Sequence, residues 1–432
     1  MTHARSAVVI GGGIAGPVMA MALQKAGIEA IVYEARPART EGTGAFLTLA
    51  SNGIDALRVL DAAEPVLAVG FATPTITLRS ATGKRLGEAP LGRPPADGTT
   101  SHTLRRADLH RVLHEQALAR GVGVEHGKRL VDARPADTGV LAVFADGSHA
   151  VADVLIGADG VHSTVRALVD PAARAPRYAG LVGTGGYARG AGVEIQPGSF
   201  EMIFGKRAFF GYTLAPDGEV WWFANLPRRD EPTRSELEAI GGDDGRTRLL
   251  ELYADDAGPA LELIEGTPQI APVSPMHTVA HLPRWHTERM ILIGDAVHAP
   301  TPSSGQGASL AIEDAVMLAG CLRDHDPQTA FANFEKARRP RVEGIVKRAA
   351  RTNAGKAAGP VGRVVRDAML PAILRTTAGA KAHRQTYDYR IDWDSRTGSE
   401  ATTGAARAPG MRRWSPRRRR RYAASRSASS PD

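Results

Sequence analysis

Six residues near the start of the chain, Gly11-Gly12-Gly13-Ile14-Ala15-Gly16, constrain its fold more than any other feature. They read G-x-G-x-x-G. They stand between an apolar run at 7–10 and a helix-patterned stretch at 14–26, and a second apolar run follows at 30–34. Gly27 occupies the place of a helix C-cap glycine. Strand, glycine turn, helix and strand form a βαβ unit of a parallel sheet. In such a unit Gly11 permits the tight turn, Gly13 lets the backbone approach a pyrophosphate, and Gly16 lets helix and strand pack closely. The helix begins at Ile14 and Ala15, where free N–H groups and about half a positive charge face the phosphates. Glu34 ends the second strand, where a carboxylate can accept hydrogen bonds from both ribose hydroxyls of an adenosine. It would also repel a 2′-phosphate, so this site disfavours NADP. Ala35 and Arg36 follow it as further candidate contacts.

Two later segments repeat the logic of strand, turn and helix. Residues 153–166 run from the strand Asp153-Val154-Leu155-Ile156 through Gly157-Ala158-Asp159-Gly160 into a helix. Asp159 can cap that helix or, with Gly160, contact a cofactor; the two readings weigh about equally. Residues 290–293 are an apolar strand that ends in Gly294-Asp295-Ala296-Val297-His298-Ala299-Pro300-Thr301-Pro302-Ser303-Ser304-Gly305-Gln306-Gly307, and a helix follows from Ala308 to 318. Asp295 stands at a strand end, where an acid can bond sugar-like hydroxyls. Gly305, Gly307 and Ala308 open a helix N-terminus, whose positive end suits a ring edge that becomes anionic on reduction.

The chain has 432 residues, enough for two domains, and its 43% hydrophobic content supplies a large core. A single cysteine, Cys321, excludes a disulfide framework and points to a reducing compartment such as the cytoplasm. The apolar stretch at 6–23 could pass for a signal peptide, but its glycine cluster belongs to the βαβ unit. No run is long enough to span a membrane. The net charge of +8 is concentrated at one end: residues 395–432 hold ten arginines and two acids, which accounts for all of it. The body is neutral overall, so no nucleic-acid partner is expected. A monomer or homodimer is expected.

Between 171 and 282 the pattern changes. Phe209 to Leu214, a turn at Pro216-Asp217-Gly218, and Glu219 to Phe223 read as an antiparallel hairpin. A β-layer inserted into a nucleotide domain is a suitable place for a ligand pocket, and Phe210, Tyr212, Trp222 and Pro302 are its candidate lining. The pair Trp221-Trp222 otherwise reads as sheet core.

Together the three glycine-turn motifs, in this order, resemble the single-component flavoprotein aromatic hydroxylases, the para-hydroxybenzoate hydroxylase-like family. The resemblance spans roughly residues 5–390, and the third motif, with Glu313-Asp314-Ala315 after it, is its most specific part. Arg106, Leu109 and Leu113 match the R-x-x-L-x-x-x-L helix whose arginine contacts the flavin in that family; Arg105 has the wrong spacing. The resemblance implies an α/β fold: a discontinuous Rossmann-like FAD-binding domain (1–75, 101–170 and 283–325), three-layered with a mostly parallel sheet. An inserted β-rich substrate domain (76–100 and 171–282) and a C-terminal helical region (326–394) complete it; the basic tail (395–432) lies outside the resemblance, and its low hydrophobic content and Arg-, Ser-, Gly- and Ala-rich composition read as disorder. The resemblance also implies FAD held non-covalently, with NADH or NADPH as a transient co-substrate, since no second G-x-G-x-x-G exists. One atom of O2 would pass through a flavin 4a-hydroperoxide to an aromatic or polycyclic substrate, and the flavin rather than a side chain would carry the chemistry.

Several signals point elsewhere and are set aside. His110 and His114 lie one helical turn apart, as would His277 and His281 if that stretch is helical, but no carboxylate or cysteine cluster completes a metal site. His298 suits a loop hydrogen bond better than acid–base chemistry. A halogenase on the same fold would show W-x-W-x-I-P, and residues 222–227 lack the second tryptophan. A reductase, or a non-catalytic flavin-binding module with a basic tail, stays open at this level.

Overall fold

The computed structural model describes residues 3–37, 45–93, 99–241, 243–356, 359–374 and 376–397. It is an α/β fold on a five-stranded parallel sheet ordered Met290–Leu292, Val154–Gly157, Ser6–Ile10, Glu29–Glu34 and Gly123–His126. Ser6–Ile10 is central and buried on both faces, as its unbroken apolar sequence requires. Ile10 pairs with Gly157, and Gly157 with Leu292. The three glycine-turn motifs therefore leave adjacent strands at one level, on the carboxyl edge where open parallel sheets bind ligands.

Helices Ala15–Lys25 and Gly307–Asp324 pack against each other, and Ser51–Val59 packs on the latter. An antiparallel meander (Leu130–Ala136, Gly139–Phe144, His149–Ala152) forms a further layer. A seven-stranded sheet stands apart, ordered Ser274–Thr278, Arg177–Ala188, Val220–Pro227, Phe209–Leu214, Phe200–Phe204, Thr75–Ser80 and Arg85–Pro90. Its strands are antiparallel except for the Phe200–Phe204 and Thr75–Ser80 pair. The expected hairpin is there, with Phe209 opposite Asn225 and Tyr212 opposite Trp222.

Three readings of the sequence are answered or revised. The 277–281 stretch is not helical: His277 lies in the strand Ser274–Thr278, bonded to Glu231, while His281 bonds to Glu343. The ordered body does not stop at Asp394. Thr397 donates to Asp324 through its backbone N–H (2.7 Å) and hydroxyl (3.0 Å), and the Arg323 guanidinium donates to the Trp393 and Ser395 carbonyls. The disorder expected further on, at 398–432, lies outside the described residues. The third reading concerns the pocket lining and is given below. Among the described residues no helix is long and apolar enough to cross a membrane.

Candidate flavin site and the facing aromatic wall

The first glycine turn is shaped by what it touches. Gly11 has φ +107°, and a methyl there would sit 2.5 Å from the Ala158 carbonyl oxygen, so the first and second motifs are in contact. A methyl at Gly16 would collide with the Gly11 carbonyl oxygen, which fixes how closely the helix starting at Ala15 meets the strand. Gly13 differs: it is exposed, with nothing within 4 Å of a built Cβ. A bare backbone facing open space at a helix start has room to receive a phosphate. Ile14 is half-buried beside it, and Ala15 is buried.

Glu34 holds this turn from the next strand. One carboxylate oxygen accepts from Gly12 N–H at 2.6 Å and the other from Arg36 N–H at 2.8 Å. Ala35 is half-buried between them and Arg36 is exposed. Behind the turn, His110 and His114 both donate through Nε2 to the Gly12 carbonyl, at 3.0 and 2.5 Å. The sequence shows the i, i+4 pair but not its use, which is to fasten the loop.

Asp159 caps the short helix Thr164–Val169. Its oxygens accept from Thr164 N–H (2.8 Å), Val165 N–H (3.1 Å) and the Ser163 hydroxyl (2.5 Å). Burial nevertheless raises its carboxyl pKa. Gly160 follows at φ +79°, beside open space. Arg166, inside the same motif, donates to the Ala296 carbonyl at 3.1 Å and so ties the second motif to the third.

In the third motif Asp295 is exposed in area yet walled by protein, the combination found on the floor of an open cleft. That enclosure raises its carboxyl pKa, against the opposing charges of His298 and Arg106. Arg106 is exposed and bears on Asp295 from across the cleft. Asp295 Oδ1 lies 3.8 Å from a Cβ built on Gly307, at the start of the helix Gly307–Asp324. Pro302 and Gly305 are exposed on the approach to that helix, and Ala308 is half-buried in its first turn.

A buried network underpins this floor. Asp314 Oδ2 accepts from Gly294 N–H (2.9 Å) and from His298 Nε2 (2.6 Å), while Oδ1 accepts from Arg338 (2.7 Å). Arg338 and Arg341 also bond Glu313, which receives the Asn52 amide at 2.6 Å. Burial alone would raise the Asp314 carboxyl, but the cations around it prevail and hold it down at about 2. His298 serves the loop, as its place in the motif suggests.

The aromatic wall reverses the pocket expected from sequence. Phe210 and Trp222 stack at 5.4 Å and are fully buried, with Tyr212, against helices Asp243–Tyr253 and Ala260–Glu265. Trp222 Nε1 donates to the Thr267 hydroxyl at 2.7 Å. These three residues are the core of the sheet's outer side. The inner side carries their neighbours: Phe46, Tyr187, Phe200, Trp221 and Phe223 form one ring cluster with centroids 5.3–6.4 Å apart. Phe46, Tyr187 and Phe223 are only partly buried. Arg105 lies 4.0 Å over the Tyr187 ring and pairs with Glu219. The Ala45 carbonyl joins the two walls, accepting from Arg106 N–H (3.3 Å) and from the Tyr187 hydroxyl (2.6 Å). The hairpin has aromatics at consecutive positions, so alternation alone could not say which set faces the cleft.

A strand-edge cleft with an open glycine cradle, an enclosed acid and two helix N-termini defines a dinucleotide-binding flavoprotein fold, and the residues present fit FAD. The chain belongs to the FAD binding domain family, which matches residues 5–349. It is 31% identical over 345 residues to aurachin C monooxygenase/isomerase of Stigmatella aurantiaca, covering 78% of this chain and 86% of that protein. It is 32% identical over 352 residues to 3-amino-4-hydroxybenzoate 2-monooxygenase of Streptomyces cremeus, covering 79% and 85%. The structure of Klebsiella pneumoniae HpxO complexed with FAD and uric acid superposes with a TM-score of 0.75 at 26% identity, covering 89% of this chain and 96% of that one. The protein is thus an enzyme of the FAD-dependent monooxygenase type, with FAD as its cofactor.

Proposed function

We propose that the protein hydroxylates or epoxidises an aromatic or polycyclic small molecule, using O2 and a nicotinamide reductant. The observation that carries this reading is the junction at the Ala45 carbonyl, which accepts from Arg106 N–H and from the Tyr187 hydroxyl and so sets the partly open rings of Phe46, Tyr187 and Phe223 beside the Arg106 helix. When bound, FAD supplies hydride acceptance from the nicotinamide and activation of O2 for oxygen transfer.

The chain's own residues bind, orient and exclude water. The Gly13 backbone and the start of the first helix receive the pyrophosphate; Glu34 and Asp295 accept from sugar-type hydroxyls; Arg106 adds a fixed charge over the cleft. The first turn of Gly307–Asp324 presents unbonded N–H groups to the ring system. Phe46, Tyr187, Trp221 and Phe223 give a flat substrate an apolar face to lie on, and their rings keep water from the reacting atoms. Burial holds the Tyr187 phenol up at about 12, so it stays a donor to Ala45 across the working pH range. The relatives' substrates, an aminohydroxybenzoate and a urate, are flat rings of the kind that lie against aromatic side chains.

The test uses the purified FAD-loaded protein. NADH and NADPH oxidation is followed with and without 3-amino-4-hydroxybenzoate, urate and a panel of phenols. The expected result is substrate-stimulated oxidation with incorporation of one ¹⁸O atom from ¹⁸O2 into product. Stimulated oxidation whose products carry no label across the panel, with all O2 recovered as peroxide, would refute the monooxygenase reading.

A further inference from the structure

The long helix Pro327–Lys356 packs against the Pro302–Ser304 turn of the third motif and ends under the seven-stranded sheet. Its last residue, Lys356, is 8% exposed. The ammonium bonds the Asn225 side-chain oxygen at 2.7 Å, lies 3.9 Å over the Phe209 ring and 5.7 Å from the Phe223 ring. Phe223 is the same partly open ring that joins Phe46 and Phe200 in the aromatic wall. Among the described residues no carboxylate pairs with this cation. One amide and two ring faces are weak substitutes for water around an ammonium.

The other buried cations are better matched: Arg338 meets two acids, and Arg166 donates to the Ala296 and Val161 carbonyls. An unmatched buried lysine is costly unless something else supplies the negative charge. We infer that Lys356 binds an anionic oxygen of the aromatic substrate, and that the enzyme takes ring compounds whose hydroxyl is ionised. This inference rests on the aromatic wall being the substrate site. A compact ammonium suits a single phenolate-type oxygen, whereas a carboxylate calls for the two-pronged donor of an arginine.

Burial lowers the Lys356 amine to about 7, and no charged group among the described residues contributes to that shift. The groups facing it are the Asn225 amide and the Phe209 and Phe223 rings; Arg366, over the neighbouring Phe204 ring, is a permanent cation paired with Asp367. The free site therefore holds an amine above about pH 7 and an ammonium below it. An anionic ligand must draw a proton in when it binds above that pH, and its affinity must fall as pH rises.

Isothermal titration of the FAD-loaded protein with pentafluorophenol, ionised at neutral pH, and with its uncharged methyl ether pentafluoroanisole tests this. At pH 8, in buffers of different ionisation enthalpy, the phenolate should bind with net proton uptake and the ether without. Lys356→Met should weaken phenolate binding by about tenfold or more at pH 6.5 and leave the ether nearly unchanged. Phenolate binding without proton uptake, or an undiminished phenolate preference in a FAD-loaded Lys356→Met protein, overturns the assignment while leaving the aromatic wall in place. Failure of both ligands to bind wild type overturns the wall as substrate site as well. If Lys356→Met does not fold, the wild-type proton uptake decides alone.

Discussion

The two walls of the cleft differ in the kind of chemistry they present. The parallel-sheet wall works through backbone: an open glycine, two helix starts, and acids set at strand ends. The seven-stranded wall works through side chains: rings on one side of a sheet whose other side is equally aromatic. A backbone site demands particular residues at particular steps, because only glycine allows the approach. A side-chain wall demands only that some rings face inward, and many sequences satisfy it. On the proposed reading the first wall serves a cofactor shared across a family, and the second is free to suit a substrate.

Within the backbone wall, two glycines three residues apart separate fold from function most sharply. Gly16→Val should cost about 5 kcal/mol or more, because the new side chain meets the Gly11 carbonyl and neither strand nor helix can move. No folded protein is expected. Gly13→Val should leave the apoprotein's melting temperature close to wild type, since nothing lies within 4 Å, yet abolish bound flavin. Absorbance and thermal melts of both variants decide it. A Gly13→Val protein that retains flavin would mean that the turn does not carry the pyrophosphate.

The side-chain wall has its own matched pair. Trp222→Ala should cost about 3–5 kcal/mol of stability, the range for emptying a buried large aromatic. Phe223→Leu, one residue on but facing inward and half-open, should cost less than about 1.5 kcal/mol. It should instead raise KM for whichever aromatic stimulates turnover. Should Trp222 variants alter KM at unchanged stability, the two sides of the sheet have been assigned the wrong way round.

What was legible in the sequence follows the same division. Gly11, Gly13, Gly16, Glu34, Asp159 and Asp295 could be singled out because strand, turn and helix signals bracket them, and the parallel sheet then brings their strand ends to one level. Composition alone suggests Phe210, Tyr212 and Trp222 for the wall, but they face the helices Asp243–Tyr253 and Ala260–Glu265, as the sheet-core reading of Trp222 has it. Those helices cover one side of the sheet through contacts more than thirty residues away in sequence, which no local pattern reveals. Phe46 and Lys356 come from opposite ends of the chain and meet the wall only through tertiary packing. His110 and His114 were visible as a pair, but their shared acceptor, the Gly12 carbonyl, is about a hundred residues distant.

Asp295→Ala probes an acid proposed to serve the cofactor rather than the fold. Its carboxylate lies on the cleft floor and is held in a raised range by enclosure, so removing it relieves a desolvated charge in the apoprotein. FAD should lose one charge-assisted hydrogen bond, about 1.5–3 kcal/mol, or roughly ten- to hundredfold in affinity. The apoprotein should melt no lower than wild type. Full flavin content after dialysis would remove Asp295 from the site.

The smallest expected effect separates the body from its arginine-rich end. Residues 398–432 carry nine of the ten arginines found past Asp394, including the unbroken run 417–421. Cutting after Thr397 should leave flavin content, substrate-stimulated oxidation and melting temperature at wild-type values. Cutting three residues earlier, after Asp394, is a different change. It removes the Ser395 carbonyl from Arg323 and both Thr397 donors from Asp324, whose carboxyl they help hold at about 2. Partly exposed hydrogen bonds of this kind contribute about 0.5–1.5 kcal/mol each, so the shorter protein should lose about 1–3 kcal/mol by denaturant titration with catalysis intact. Identical stability of the two truncations would place the edge of the body at Asp394 after all. Loss of substrate-stimulated turnover on cutting after Thr397, with FAD still bound, would show that the tail acts on the cleft and that the walls described above are not the whole site.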